Sequence, residues 1–343
     1  AADGACPVFN MYGQESATRL LQVGLQQSRL HHAYLFTGPA HVGKSTLAMQ
    51  LAQAVNCLGE LPPCNECNSC QRIRAYQHSD VRFVGAGDLS DDGGPSTVIG
   101  IDIVRDIIPT AYLLPYEGIF RVFILEDAGS LSSEAANAIL KVLEEPPPKV
   151  LFVLTAEDVS DLSMTVQSRC SHIELRPMPI QRVADILESD FELDREQSLD
   201  LARLSRGCIG WAIESINNPE VMASVHQRFE RIADVVESGM EIRFTYAGDL
   251  ARQIQQRRAS GREEMRYWLR WFRDLLLVRH GMSHEIANVN WVQTLERQAS
   301  LLSTAQVVGA LHQIHSTLDV LELNANPRLA LESLMLEFPT LQP

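Results

Sequence analysis

Gly38 and Gly43 bracket a Gly-x-x-x-x-Gly-Lys-Ser run within LFTGPAHVGKSTLA, Leu35 to Ala48. Two glycines at this spacing let a backbone curl until its N–H groups converge on phosphate oxygens, and a helix starting at the second adds its positive end. The run predicts a nucleoside triphosphate held by Gly38, Pro39, His41, Val42, Gly43, Lys44, Ser45 and Thr46. Lys44 would reach the outer phosphates and Ser45 would offer its hydroxyl to Mg2+. Only three lysines accompany 26 arginines in the chain, and one stands here. The competing reading is a chance Gly-rich turn, which the apolar strand before the run and the helical pattern after it oppose.

Hydrolysis needs an acid at the end of a neighbouring strand to hold the magnesium shell, and a group that orients water. VFILEDAGSLS offers Glu126 and Asp127 directly after an apolar run. Acids are also common at strand ends near turns, so these two carboxylates can equally be plain turn residues. A second cluster is Cys57, Cys64, Cys67 and Cys70, the last three in CNECNSC. Four thiolates close a tetrahedral shell around Zn2+, and a closed shell leaves no position for substrate, so the predicted metal is structural. Pro62, Pro63, Asn65, Glu66 and Asn68 make the surroundings a loop, which argues against four unligated core cysteines.

These residues need a scaffold of strands that end at one edge. AYLFT, VRFVGA, FRVFILE, KVLFVLTA and SHIEL are short apolar runs separated by helical patterns, which predicts an α/β domain over residues 1–178 with a parallel five-stranded sheet. Ser132 caps a predicted helix carrying Ala136, Ile139, Leu140 and Leu143 at helical spacing, and Pro146 to Pro148 stop it. Gly87 to Gly100 reads as a mobile polar loop. Beyond Gln181 the strand signal ends, predicting a small helical domain over 179–240 and a helical C-terminal domain over 241–343. In the latter, Trp268, Trp271, Phe272 and Leu275 recur at three- and four-residue steps. Alternation with arginines permits nucleic-acid stacking, but the continuing run Leu275 to Val278 favours a buried helix.

Composition narrows the classes. A chain of 343 residues exceeds one typical core, and a formal charge of −14 argues against a free-standing basic nucleic-acid binder. No long uncharged apolar window or secretory leader is evident, so the expected compartment is the cytoplasm, with no membrane partner. Seven cysteines, four of them clustered, fit reduced thiols and a metal site better than a disulfide framework.

The combination of HHAYLFTGPAHVGKS, the four-cysteine insert, EAANAILKVLEEPP and TVQSRC resembles the subunits of the bacterial DNA polymerase III clamp loader, members of the AAA+ superfamily. LELNANPRLALESLMLE is similar to their last collar helices, so the resemblance runs over essentially the whole chain. It implies a P-loop AAA+ domain, a helical lid and a collar that forms a five-membered ring with gamma/tau and delta subunits. That ring opens a sliding clamp and places it on primed DNA. The resemblance also implies that Arg169 of the SRC triplet acts in trans on the ATP of the adjacent subunit.

Two departures bear on activity. Active members carry Asp-Glu where this chain has Glu126-Asp127, and they place a lid arginine where this chain has Ile209, Gly210 and Trp211; Arg206 lies just upstream. Within the family these departures favour the delta prime type, which holds ATP or ADP but hydrolyses it poorly, over the active gamma/tau type. A small-molecule kinase is the reading from another class, and the zinc insert and long helical C-terminus fit it poorly.

Overall fold

The computed structural model describes residues 9–85, 98–256, 258–322 and 325–341. The chain divides into two compact units, Ala1–Pro179 with Gly207–Trp211, and Ile180–Arg206 with Ala212–Pro343.

The first unit is a three-layer α/β domain. In chain order it contains α1 (Glu15–Gln26), β1 (Ala33–Thr37), α2 (Lys44–Asn56), α3 (Asn68–Arg74), β2 (Val81–Val84) and α4 (Ile101–Ala111). There follow β3 (Arg121–Leu125), α5 (Ser133–Glu144), β4 (Val150–Ala156), the short α6 (Met164–Gln167) and β5 (Ser171–Glu174). The strands are all parallel in the order β2-β3-β4-β1-β5. The inner strands are continuous apolar runs because helices cover both faces. Leu47, Leu51, Ile73, Val122 and Val153 fill the core on one side, and Val104, Ile107, Phe123, Ile139 and Phe152 fill it on the other. All five expected strands are present. Ser132 caps α5 by accepting the N–H of Ala135.

Sheet order fixes what lies at the strand ends. β1 and β3 both flank β4, and Leu35 and Leu125 are both in register with Leu154. The residues just beyond those strands, Gly38 and Glu126, therefore share the carboxyl edge of the sheet, with β4 between them. That carboxyl edge is where open α/β sheets bind ligands. Of the expected loop Gly87–Gly100, residues 87–97 lie outside the described residues; Ile99 bridges to Leu131.

The second unit is helical: α7 (Ile180–Phe191), α8 (Arg195–Ser205), α9 (Ile209–Asn217), α10 (Pro219–Glu237), α11 (Met240–Gln256), α12 (Arg258–Arg279), α13 (Val292–Leu301), α14 (Thr304–Glu322) and α15 (Pro327–Glu337). The first residues of α9 fold with the first unit. α7 pairs with α8, while α12 packs against α10, α11, α13 and α14. Trp268, Trp271, Phe272 and Leu275 of α12 are buried. The indole N–H of Trp268 donates to Tyr246 Oη at 2.7 Å and that of Trp271 to Gln298 Oε1 at 2.9 Å. These rings are core, with their polar edges satisfied, and do not face outward for base stacking. Among the described residues no helix is long and apolar enough to cross a membrane.

Candidate functional site

The phosphate loop runs from the buried end of β1 into α2. Gly38 adopts φ +139°, and a Cβ there would lie 2.3 Å from the carbonyl oxygen of Leu175. Gly43 adopts φ +109°, and a Cβ there would meet Met11 Cε at 2.8 Å. Gly38 therefore demands glycine for both backbone conformation and space, whereas at Gly43 the left-handed backbone decides, because the end of Met11 can move aside. His41 between them is also left-handed, at φ 60°. Val42 is buried and anchors the loop, Pro39 is half-buried, and His41, Ser45 and Thr46 are exposed. Lys44 Nζ donates to the carbonyls of Gly38 at 2.6 Å and Pro39 at 2.9 Å, so its charge sits over the loop. No side chain caps the N-terminus of α2. The cradle therefore suits a phosphate chain, with Lys44 as its point charge and Ser45 as the hydroxyl on the solvent side.

Glu126 and Asp127 stand immediately past β3, both half-buried. The N–H of Glu126 donates to Val84 O at 2.7 Å. Asp127 is left-handed at φ 52°, and its N–H donates to Thr155 Oγ1 at 3.1 Å. The sheet thus brings both acids to the edge that carries the phosphate loop.

The four cysteines converge: their Sγ atoms all lie within 4.8 Å of one another. Tetrahedral Zn–S bonds imply S···S separations near ~3.8 Å, so little movement completes a shell. Main-chain N–H groups already point at the sulfurs: Gly59 and Cys64 donate to Cys57 at 3.4 Å, Cys67 to Cys64 at 3.3 Å and Cys70 to Cys67 at 3.5 Å. The amides of Cys67 and Glu66 pull the Cys64 thiol down to about 6. Burial pushes Cys70 well up and raises Cys57, while at Cys67 the N–H groups of Cys70 and Leu58 outweigh burial and lower it. Gln53 of α2 donates to Cys70 O at 2.8 Å and ties this loop to the domain. The donor set and its N–H···S support fit Zn2+, with all four positions taken by protein.

Arg169 lies in the turn between α6 and β5. Its Nη1 donates to Thr165 O at 2.7 Å and Ser168 Oγ at 3.1 Å, and its Nη2 to Glu144 Oε1 at 2.6 Å. Glu144, the last residue of α5, lies outside the sites expected from the sequence. Its signal was an acid at the negative end of a helix, where a cation is favoured. Sequence reasoning also missed how Gly207–Trp211 meets the loop: the N–H of Gly210 donates to His41 O at 3.1 Å, and that of Met178 to Gly207 O at 2.9 Å. Arg206 is exposed and left-handed at the end of α8.

Residues 13–179 match the family model described as DNA polymerase III, delta subunit, a span that falls within the first unit. Over this span the chain is similar to subunits of DNA polymerase III. DNA polymerase III subunit tau of Escherichia coli is 32% identical over 181 residues, 52% of this chain and 27% of that one. The tau subunit of Bacillus subtilis is 29% identical over 258 residues, 73% of this chain and 44% of that one. The gamma subunit of Buchnera aphidicola from Acyrthosiphon pisum is 27% identical and matches 66% of this chain and 62% of its own. The chain thus spans less than two thirds of each of these relatives. A solved gamma subunit-related protein from Thermotoga maritima covers 92% of this chain and 97% of its own at 18% identity, with a TM-score of 0.44.

Proposed function

We propose that the chain is a delta prime-like subunit of a DNA polymerase III clamp loader, which helps place a sliding clamp on primed DNA in the cytoplasm. Residues 179–240 act as its lid, and residues 241–343 join gamma/tau- and delta-type subunits in a five-membered ring. It holds ATP or ADP with Mg2+ through Gly38–Thr46 and hydrolyses it poorly, while Arg169 serves the ATP of the adjacent subunit. Zn2+ on Cys57, Cys64, Cys67 and Cys70 stabilises the insert.

The observation that carries the non-motor reading is the contact of Gly210 with His41. Where active members supply a lid arginine, this chain has Ile209, Gly210 and Trp211 and brings the main-chain N–H of Gly210 to His41. The order of Glu126 and Asp127 supports the same reading, because misplacing a reacting group by about 1 Å can cost on the order of a hundredfold in rate. The second reading, an active gamma/tau-type ATPase, is favoured by relatives bearing the names tau and gamma.

Turnover by the chain alone and in a reconstituted ring separates the two. The delta prime reading expects negligible hydrolysis by the isolated chain, and Lys44→Ala to abolish its nucleotide binding while much of the ring's turnover survives. In the ring, Arg169→Ala lowers clamp loading and DNA-stimulated hydrolysis, and Arg169→Lys is nearly as impaired, because an ammonium does not reproduce planar guanidinium donors. Arg195, which pairs with Asp185 at 2.9 Å on the surface, is the matched control. Vigorous magnesium-dependent turnover by the chain alone would establish the second reading instead.

A further inference from the structure

We infer that Glu144 is a positioning residue for Arg169, the device that aims its guanidinium outward. The inference rests on the proposed role of Arg169 in trans. Of the five N–H donors of this guanidinium, two on Nη1 are spent within its own turn, on Thr165 O and Ser168 Oγ. Nε is buried and has no hydrogen-bond partner. Nη2 carries the remaining two donors, and Glu144 takes one at 2.6 Å. The last Nη2 hydrogen is the donor left for a neighbour's phosphate, and its direction is set by the Glu144 bond, because the guanidinium is planar and its donors are fixed relative to one another.

Glu144 holds this position against local preference. It ends α5, with Glu145 beside it, at the terminus where the helix dipole disfavours negative charge. Pro146 follows and stops the helix, so the carboxylate rests on a rigid element joined to the core of the sheet. The Glu144 side chain is 50% exposed and that of Arg169 31%. A pair this open to water adds little to stability. It does restrict the rotation of a long side chain, and donors oriented before the phosphoryl group arrives need no reorganisation during transfer. Thr165 and Ser168 hold the guanidinium to its own turn, and Glu144 alone ties it across to a second element.

The test uses the full chain reconstituted with gamma/tau- and delta-type subunits and measures single-turnover ATP hydrolysis, nucleotide affinity of the ring, ring assembly and the melting temperature of the chain. Glu144→Ala is expected to slow hydrolysis by about tenfold, less than Arg169→Ala, in keeping with the cost of a misaimed catalytic group. Assembly, melting temperature and nucleotide affinity stay unchanged. Glu144→Gln keeps an acceptor oxygen and recovers part of the rate. In an Arg169→Ala background, Glu144→Ala has no further effect. If Arg169→Ala slows hydrolysis and Glu144→Ala leaves it unchanged or raises it, the aiming role is overturned while the trans-acting reading stands. If Arg169→Ala itself has no effect, both fall.

Discussion

The main-chain N–H of Gly210 donates to the carbonyl oxygen of His41 at 3.1 Å, and a Cβ on Gly210 would lie 2.5 Å from that oxygen. A side chain at position 210 therefore cannot coexist with this bond unless one backbone moves. Gly210→Ala should lower the stability of the first unit by about 1–3 kcal/mol, the usual range for overfilling a tight contact. Gly248→Ala, inside α11 where an added carbon meets nothing within 4 Å, should not lower the stability of the second unit, because Ala is the better helix former. Urea unfolding of both variants checks this. An unchanged midpoint in Gly210→Ala would show that the Gly210 contact carries no strain on substitution.

The cysteine insert should hold about one equivalent of Zn2+, since the four thiolates satisfy one tetrahedral ion. Serine at any one of Cys57, Cys64, Cys67 or Cys70 should lower metal content and loosen the insert, and chelation should do the same to the unmodified chain. Metal analysis and proteolysis of the 57–70 segment are the measurements. Full occupancy after two replacements would rule the assignment out.

What was legible in the sequence was what neighbours in the chain decide. The phosphate loop, the three cysteines of CNECNSC and the cap at Ser132 are set by residues within a few positions of one another, and the strands by continuous apolar runs. Pairings across long separations left no such trace. Nothing near Glu144 marks Arg169 as its partner 25 residues on, and nothing in IGW points to His41. Asp274 sits in the aromatic helix beside Arg273, with nothing in the local pattern to mark it as buried, yet it is fully buried, accepting from the N–H groups of Ala287 and Asn288 at 3.1 and 3.0 Å. Which few of many identical polar residues face inward is a property of packing, and periodicity does not record it.

Asp80 is such a residue, and its environment gives a pH dependence. Its carboxylate is buried and accepts from the N–H groups of Tyr116 at 2.7 Å and of Glu117 and Gly118 at 2.8 Å, with Arg121 Nη2 at 3.0 Å. Burial alone would raise its pKa, but these donors outweigh it and hold the group below the usual carboxylate range. The folded state thus binds this proton less readily than the unfolded chain. Its stabilisation is complete above the unfolded value near ~3.9 and is lost as pH falls through the lower folded value. Asp80→Asn should cost about 3 kcal/mol or more at neutral pH, because Arg121 loses its charge partner in a buried site. The same variant should flatten the acid side of the stability profile. A profile parallel to that of the unmodified chain would assign the acid sensitivity elsewhere.

Arg243 is a buried cation, 1% exposed, held without a carboxylate partner among its hydrogen bonds. Its four hydrogen bonds end on main-chain carbonyls: Val235 at 3.3 Å, Val236 at 3.0 Å, Phe338 at 3.1 Å and Pro339 at 2.9 Å. Val235 and Val236 belong to the last turn of α10, and Phe338 caps the end of α15. The guanidinium is thus seated between the negative ends of two helices, which supply the countercharge that a carboxylate would otherwise give. It also holds Phe338 against the rings of Trp268, 4.9 Å away, and Phe272, 5.2 Å away. Arg243→Met leaves those carbonyls without a donor and should cost about 2–4 kcal/mol. Arg243→Lys should recover little, since three donors on one nitrogen do not span carbonyls on both helices. Because Phe338 covers Trp268, releasing the end of α15 should shift tryptophan emission to the red in Arg243→Met before global unfolding, whereas Arg195→Met should leave the spectrum as it is. If Arg243→Met keeps both the emission maximum and the urea midpoint of the unmodified chain, the carbonyl cluster does not hold the C-terminal helix in place.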